Sequence, residues 1–395
     1  MTNIEIFRGL QSEATEWRRY LHENPELDYR LGNTARFVAE KLASFGINHI
    51  ETGIAETGIV ALIQGQGGEG PTIGLRADMD ALPIIEETNA PWSSKNPGVM
   101  HACGHDGHTA MLLGAAKYLA STRNFKGTVA LIFQPAEEVE LPSGALKMVQ
   151  EGIMDRFGIS EVYGMHIHPE IKLGQFGIRT GAALGSQDDF DIIVKGKGGH
   201  PADPHLTVDP VVIGAHIILG LQSLISRQTD PRETLTLSVT KLSAAEAYNV
   251  IPDQVAISGT VRALAASLQD FAEKQIPAIA TGVAQGFGAA IEFKYMRSVP
   301  ATFNYAEQTK LAVAAARDLV GDGSVNDAIR VEIGAEDFSY MLEQRPGAFI
   351  FLGNGPSAGF HHPKFDFNDD ALPYGIGWWA KLVESILPCE PAAQQ

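Results

Sequence analysis

The sequence is short of what several common protein classes require. It has two cysteines in 395 residues, Cys103 and Cys389, far apart and unlike a disulfide framework. Basic residues are scarce as well: 30 Lys and Arg stand against 47 Asp and Glu, a formal charge of −17. That balance argues against a nucleic-acid partner, because phosphate binding needs a basic face. No stretch approaches the ~18 uninterrupted apolar residues of a membrane span. The N-terminal MTNIEIFRGLQSEATEWRRYLHENPE carries charges throughout and lacks the apolar core and small-residue end of an export signal. A cytoplasmic, reducing compartment is the expectation. There is no internal repeat and no low-complexity tract, and the tail EPAAQQ reads as frayed. The acidity has one consequence: an anionic substrate would need local basic groups or metal ions to attract it against the overall field.

What is present is the balance of a globular chain, 45% apolar and 19% charged. At about 150 residues per domain, the length predicts two or three domains. Apolar spacing predicts a helix over 4–21 and a second from Asn33-Thr34 to Phe45, ended by Gly46. GIVALIQG (58–65) and PTIGLRADMD (71–80) read as strands joined by GQGGEG in a hairpin or tight connection. A helix over 108–121 and strands at 127–136 and 162–169 follow. Around residue 185 the texture changes to a β-α-β-β-α-β order. After it, a helix over 305–320 and strands near 329–333 and 348–352 resume the first texture. The expectation is an α/β catalytic domain, 1–184 and 297–395, with a central mostly parallel sheet flanked by helices. A smaller α+β domain, 185–296, with a four-stranded sheet and two helices, interrupts it.

The chemistry concentrates in HACGHDGH at 101–108. A lone histidine is usually a satisfied core residue, but three histidines, a cysteine and an aspartate within eight positions are far above chance. Cys103 and His105, spaced i,i+2, can reach one metal centre; His101, Asp106 and His108 flank them. Glu137 and Glu138 follow an apolar strand, where extended geometry would send successive side chains to opposite sides. One could then bind metal and the other face substrate, although such a pair is commonly just a solvated loop. Asp78 and Asp80 close another strand on one face and could hydrogen-bond ligand histidines from outside. His166, His168, His361 and His362 lie at further strand ends. GKGGH does not make a nucleotide loop, because neither a Lys-Ser/Thr pair nor a following helix start is in place.

LHENPEL, GLRADMDALP, MHACGHDGHTAMLLGAA, QPAEE, GMHIHP, GKGGHPADPH, YNVIPDQV, SGTVRAL, GAEDFSY and HHPKFDFNDDALPYG occur in that order over nearly the whole chain. Together they resemble the amidohydrolase branch of the aminoacylase–carboxypeptidase G metallopeptidase family, which includes hippurate hydrolases, N-acyl-amino-acid amidohydrolases and indole-acetyl-amino-acid hydrolases. The resemblance implies two divalent metal ions held by Cys103, His105, Glu138, His166 and His361, with His168 and His362 set aside. Zinc is the first choice, and manganese, cobalt or nickel are alternatives. It implies Glu137 as general base, and His200, with His205 as runner-up, as stabiliser of the oxyanion. Asn249 and Arg262 match positions that hold the substrate carboxylate, for which an arginine fork is physically suited. Asp78, Asp80 and Asp106 are left to support the ligands. The inserted domain is implied to dimerise and act as a lid. The implied reaction is amide hydrolysis of N-acyl amino acids; a dipeptidase or carboxypeptidase, and a catalytically silent binding protein, remain the alternatives. VELPSG after the glutamates, Gln187, and the glycine-poor KLSAAEAYNVIPD depart from the family pattern.

Overall fold

The structure is a computed structural model that describes residues 4–139 and 141–389; the tail EPAAQQ, read as frayed, lies outside them. The chain divides into two compact units, Met1–Ala183 with Phe303–Arg330 and Asp337–Gln395, and Leu184–Thr302 with Val331–Glu336.

The first unit opens with α1 (Glu5–Arg8), α2 (Gln11–Glu23) and α3 (Gly32–Ser44). The single helix expected over 4–21 is therefore broken at Gly9–Leu10. Neither Asn33 nor Thr34 caps α3 with its own side chain. The Glu26 carboxylate accepts their backbone N–H groups at 3.0 and 2.8 Å, an anion at the positive end of the helix. Strands β1 (His49–Ile54), β2 (Gly58–Gln64) and β3 (Thr72–Asp78), helix α4 (His105–Thr122) and strand β4 (Thr128–Gln134) follow. Then come α5 (Gly144–Gln150), α6 (Ile153–Arg156), β5 (Ile159–His168), β6 (Phe176–Gly177) and β7 (Gly181–Leu184).

In the second unit, β8 (Gln187–Lys195), α7 (Pro210–Ser223), β9 (Leu235–Ser243), β10 (Gln254–Ala263), α8 (Ala266–Gly286) and β11 (Ala290–Val299) realise the β-α-β-β-α-β order. Its four strands pair antiparallel in the order β11-β8-β10-β9. Along β8, Asp188, Phe190, Ile192 and Val194 alternate inward, the period of a sheet with one covered face. Ile213, Ile217 and Leu221 of α7 and Ile276 and Ala280 of α8 cover that face. Helix α7 with the turn after it is long and apolar enough to cross a membrane by composition, at mean hydropathy 1.4 over 19 residues. Its buried isoleucines instead make it the core helix of this unit. The strand read from AAIEFKYM continues to Val299, which carries the unit past residue 296.

The chain returns through β12 (Thr302–Asn304), α9 (Ala306–Val320), β13 (Val325–Asn326), α10 (Ser339–Gln344), β14 (Gly347–Gly353) and α11 (Leu372–Ile386). The strand expected near 329–333 is only an isolated bridge, Leu184 to Glu332. The large sheet has the order β1-β2-β4-β3-β5-β14-β6-β13. Its centre, β4-β3-β5-β14, is parallel, while β1-β2, β2-β4 and β14-β6 pair antiparallel, so the sheet is mixed. β2 and β3 do not form a hairpin. β4 lies between them, and the connecting glycines hold the segment that leads into β4: Gly65 N–H donates to Gly127 O at 2.9 Å and Gly67 N–H to Phe125 O at 3.0 Å.

Helix α4 is buried on every side from His105 to Ala116, as expected of a helix apolar all round. At Gly114 an added Cβ would come 2.4 Å from Ile376 of α11, so the two helices pack at the distance only glycine permits. This anchors the N-terminal turn of α4, where HACGHDGH ends, beside the carboxyl ends of the parallel strands.

Candidate metal centre

Cys103 and His105 are not at a strand end. Cys103 lies in the loop entering α4, Gly104 has φ +92°, and His105 is the first helical residue. A Cβ at Gly104 would approach Ile167 to 2.8 Å, so both conformation and space require glycine. The left-handed step folds the two side chains toward one another. His166, near the end of β5, joins them, its Nε2 lying 3.4 Å from Cys103 Sγ. His361 arrives on a later loop at φ +60°, its N–H donating to Ala102 O at 2.8 Å.

Glu137 and Glu138 sit in a turn past β4 instead of in extended geometry, because Ala136 is left-handed at φ +53°. The alternation expected of them therefore does not hold, and both carboxylates approach His105. Glu137 Oε2 is 4.0 Å from His105 Nε2, and Glu138 Oε1 is 3.2 Å from His361 Nε2. Among the described residues five sets of donor atoms lie within 4.8 Å of one another, and three of them combine the expected ligands and base: Cys103, His105 and His166; Cys103, Glu138 and His361; and His105, Glu137 and Glu138.

Three of the histidines are oriented through Nδ1. His105 Nδ1–H donates to Asp80 Oδ1 at 3.3 Å, His108 Nδ1–H to Asp78 Oδ1 at 2.7 Å, and His166 Nδ1–H to Ile167 O at 2.7 Å. This leaves lone pairs on Nε2. In His108 that lone pair accepts the Ile167 N–H at 3.1 Å, so His108 is fully engaged as a brace. The buried His105 Nε2 has no hydrogen-bond partner, and Glu138 Oε1 faces only His361 Nε2 at 3.2 Å. Thiol, imidazole and carboxylate donors gathered this closely and braced from behind fit divalent metal ions. Asp80 braces twice, since its Oδ2 also accepts the Glu138 N–H at 3.0 Å. His168 and His362 turn to local backbone, their Nδ1 atoms accepting the N–H of Glu170 and Lys364.

The electrostatics follow from burial and these contacts. Burial and the Glu138 charge push the Cys103 thiol up. Burial opposes charge on Asp78, but His105, Arg76 and His108 hold its carboxyl well below the usual range. The structure does not bring Asp106 to the ligands. Its Oδ2 instead accepts from His22 Nδ1–H at 2.8 Å and lies 3.6 Å from Arg18 Nη1. His101 is buried and pushed down to about 4, chiefly by desolvation.

Sequence reasoning missed a layer beneath the site. Arg76 donates to Gln134, Asp78 and Asp337 at 2.8, 2.8 and 3.0 Å, and Asp337 also accepts the Ala145 N–H at 2.9 Å. The available signal was an arginine inside an otherwise apolar strand, which requires a buried partner. His22 was missed in the same way. Both of its nitrogens face carboxylates, Asp106 and Glu86 at 2.8 and 3.3 Å. Burial opposes its charge, yet these partners raise it to about 9. Because the folded value lies above the ordinary 6.5, its contribution is complete below pH 6.5 and fades as pH climbs through 9. We expect wild type to lose on the order of 3 kcal/mol between those limits relative to His22→Gln, measured by urea unfolding. An equal gap between the two proteins at pH 6.5 and 9.5 would show that His22 is not charged in the fold.

His200, Asn249 and Arg262 belong to the second unit. His200 is exposed, and its Nδ1 accepts the Ala202 N–H at 3.2 Å, which leaves Nε2–H as a free donor. His205 is exposed on a short 3-10 turn, and Asn249 on the turn after β9. Arg262 is half-buried on β10. Desolvation lowers its pKa against the pull of Asp189 and Asp188, and no hydrogen bond or ion pair holds its guanidinium among the described residues.

Comparison with known proteins gives the same direction. The model of "Peptidase family M20/M25/M40" matches residues 74–385. An N-acetylcysteine deacetylase of Bacillus subtilis is 38% identical over 96% of this chain and 98% of its own. A hippurate hydrolase of Campylobacter jejuni is 39% identical over 98% of this chain and 100% of its own. Among solved structures, a Bacillus subtilis protein described as a dinuclear metal binding peptidase superposes with a TM-score of 0.86 at 34% identity. That match covers 97% of this chain and 100% of the other.

Proposed function

The chain belongs to peptidase family M20/M25/M40, and on that premise we propose that it hydrolyses the amide bond of N-acyl amino acids. The products are a carboxylic acid and an amino acid. The observation that carries the reading is the convergence of Cys103, His105, Glu138, His166 and His361, with Glu137 against the same histidine. The five would hold two divalent metals, zinc first and manganese, cobalt or nickel as alternatives, since selection depends on geometry and supply. When bound, such ions polarise a carbonyl and acidify water near neutral pH.

The remaining steps fall to side chains. Glu137 takes the proton of the attacking water and delivers it to the leaving amine. Asp80 and Asp78 hold His105 and His108 in their working tautomers. His200, or His205 in its place, donates to the oxyanion, and Asn249 and Arg262 take the substrate carboxylate. The unpaired guanidinium of Arg262 supports that last role and supplies the local positive charge the acidic chain needs. Arg262→Ala should raise KM with little change in kcat. The loss in kcat/KM should be about 1.5–3 kcal/mol, or roughly 10- to 100-fold, and steady-state kinetics on a carboxylate substrate and its amide would test it. Equal losses on both substrates would remove Arg262 from carboxylate recognition.

A homodimer formed through the second unit is part of the same reading. Val211, Val212 and Leu219 of α7 and Leu242 of edge strand β9 are 40, 48, 69 and 56% exposed, the apolar surface an interface would cover. The free thiol of Cys103 suits a reducing cytoplasm. The deciding experiment is hydrolysis by stripped and metal-reloaded protein of N-acetylcysteine, hippurate and an indole-acetyl amino acid, beside free dipeptides. Cleavage confined to substrates with a free amine would replace the amidohydrolase reading with a dipeptidase one.

A further inference from the structure

Helix α2 presents Arg18 and His22 one turn apart, and both side chains are buried. Their contacts run to the two chain segments that end in candidate ligands. On one side, His22 Nδ1–H donates to Asp106 at 2.8 Å, and Arg18 Nη1 lies 3.6 Å from the same oxygen. Asp106 directly follows His105 in the first turn of α4. On the other side, Arg18 Nε–H donates to Asp369 at 2.7 Å, on the segment that descends from His361. The Asn354 side chain ties that segment further, donating to Asp366 O and accepting the Asn368 N–H.

The first turn of α4 is therefore gripped from two directions. Asp78 and Asp80 of the β3 end hold His108 and His105, while α2 holds Asp106. The grip continues outward, because His22 Nε2 faces Glu86 at 3.3 Å and Glu86 accepts the Ser94 N–H at 2.7 Å. Glu86 and Ser94 line a surface cavity of about 430 Å³. Burying an arginine and a histidine costs free energy that pairing offsets only in part here: Arg18 Nε–H is hydrogen-bonded, while its Nη1 and Nη2 have no hydrogen-bond partner among the described residues.

We infer that Arg18 and His22 are positioning residues that act through Asp106 and Asp369 to set the spacing of His105 and His361. They touch neither substrate nor metal. The inference rests on the metal-site reading proposed above. Groups hydrogen-bonded directly to a ligand typically cost 10- to 100-fold in metal affinity when removed; Arg18 and His22 stand one step farther back, so the low end of that range is expected.

The test is the zinc affinity of chelator-stripped full-length protein, measured by competition with a fluorescent chelator. Melting of the stripped protein is followed in parallel. Arg18→Gln and His22→Gln should each weaken zinc binding by about 10-fold. Arg8→Gln, which cuts the exposed Arg8–Glu5 pair (2.7 Å) and touches neither aspartate, should leave it within twofold. Lower melting with unchanged zinc affinity in both buried variants would mean a structural role only and would overturn the inference. Should those variants fail to fold, Glu86→Gln decides. It removes the outer partner of His22 and should weaken zinc binding in the same direction by a smaller factor; no shift overturns the inference. Wild type that takes up no zinc would sink the metal-site reading itself, a different result from wild type and variants binding equally.

Discussion

Replacing Glu137 with glutamine lowers turnover of N-acyl amino acids by roughly 10²–10⁴-fold, the share general acid–base groups commonly carry, and leaves the metal content unchanged. Glutamine keeps the shape and the hydrogen-bonding reach of the side chain but cannot hold a proton in transit. The geometry separates this residue from its neighbour. Glu138 lies 3.2 Å from His361 and its backbone is pinned by Asp80, whereas Glu137 reaches toward the site at 4.0 Å from His105. Glu138→Gln should therefore weaken metal binding first and turnover as a consequence. Metal analysis beside steady-state kinetics distinguishes the two. If Glu137→Gln loses metal and regains activity when metal is added in excess, the two glutamates have exchanged roles.

The cluster at 101–108 was legible because thiol and imidazole groups so dense are costly in an apolar core unless something binds them. Its internal division was not. Which of His105 and His108 keeps an open nitrogen depends on one backbone N–H, that of Ile167, contributed from a strand about 60 residues away. The glutamate pair was legible as chemistry but not as geometry, since the left-handed Ala136 carries no glycine or asparagine signal. Asp106 was read as a support of the ligands. One residue's rotation along the α4 turn sends its carboxylate to His22 and Arg18 of α2, so its support of His105 would run through the helix turn and not through a side-chain contact with a ligand. The same limit explains the sheet. Alternating strands and helices indicate a central parallel sheet, and β4-β3-β5-β14 is one. Strand order depends on which loops pack together, and the glycine-rich link after β2 packs on the entry to β4, a pairing that local propensity does not encode.

Replacing Cys103 with alanine should cost more metal than replacing His166 or His361, because the sulfur, like His105 and Glu138, belongs to more than one donor set. It groups with His105 and His166, and also with Glu138 and His361. Removing a ligand particular to one set would leave the other set whole, but losing a shared one opens both. The affinity loss should therefore exceed the roughly 10- to 100-fold expected of the bracing residues, with turnover falling alongside. Metal content by mass spectrometry after dialysis checks this directly, and two ions per chain retained by Cys103→Ala would remove the thiol from the ligand set. Cys103→Asp carries the argument one step further. A carboxylate restores an anionic donor at nearly the same reach but exchanges soft sulfur for hard oxygen, which should recover part of the binding and shift preference from zinc toward manganese. Recovery with zinc and manganese in the wild-type proportion would mean that the braced imidazoles and Glu138, not the thiol, set the choice of metal.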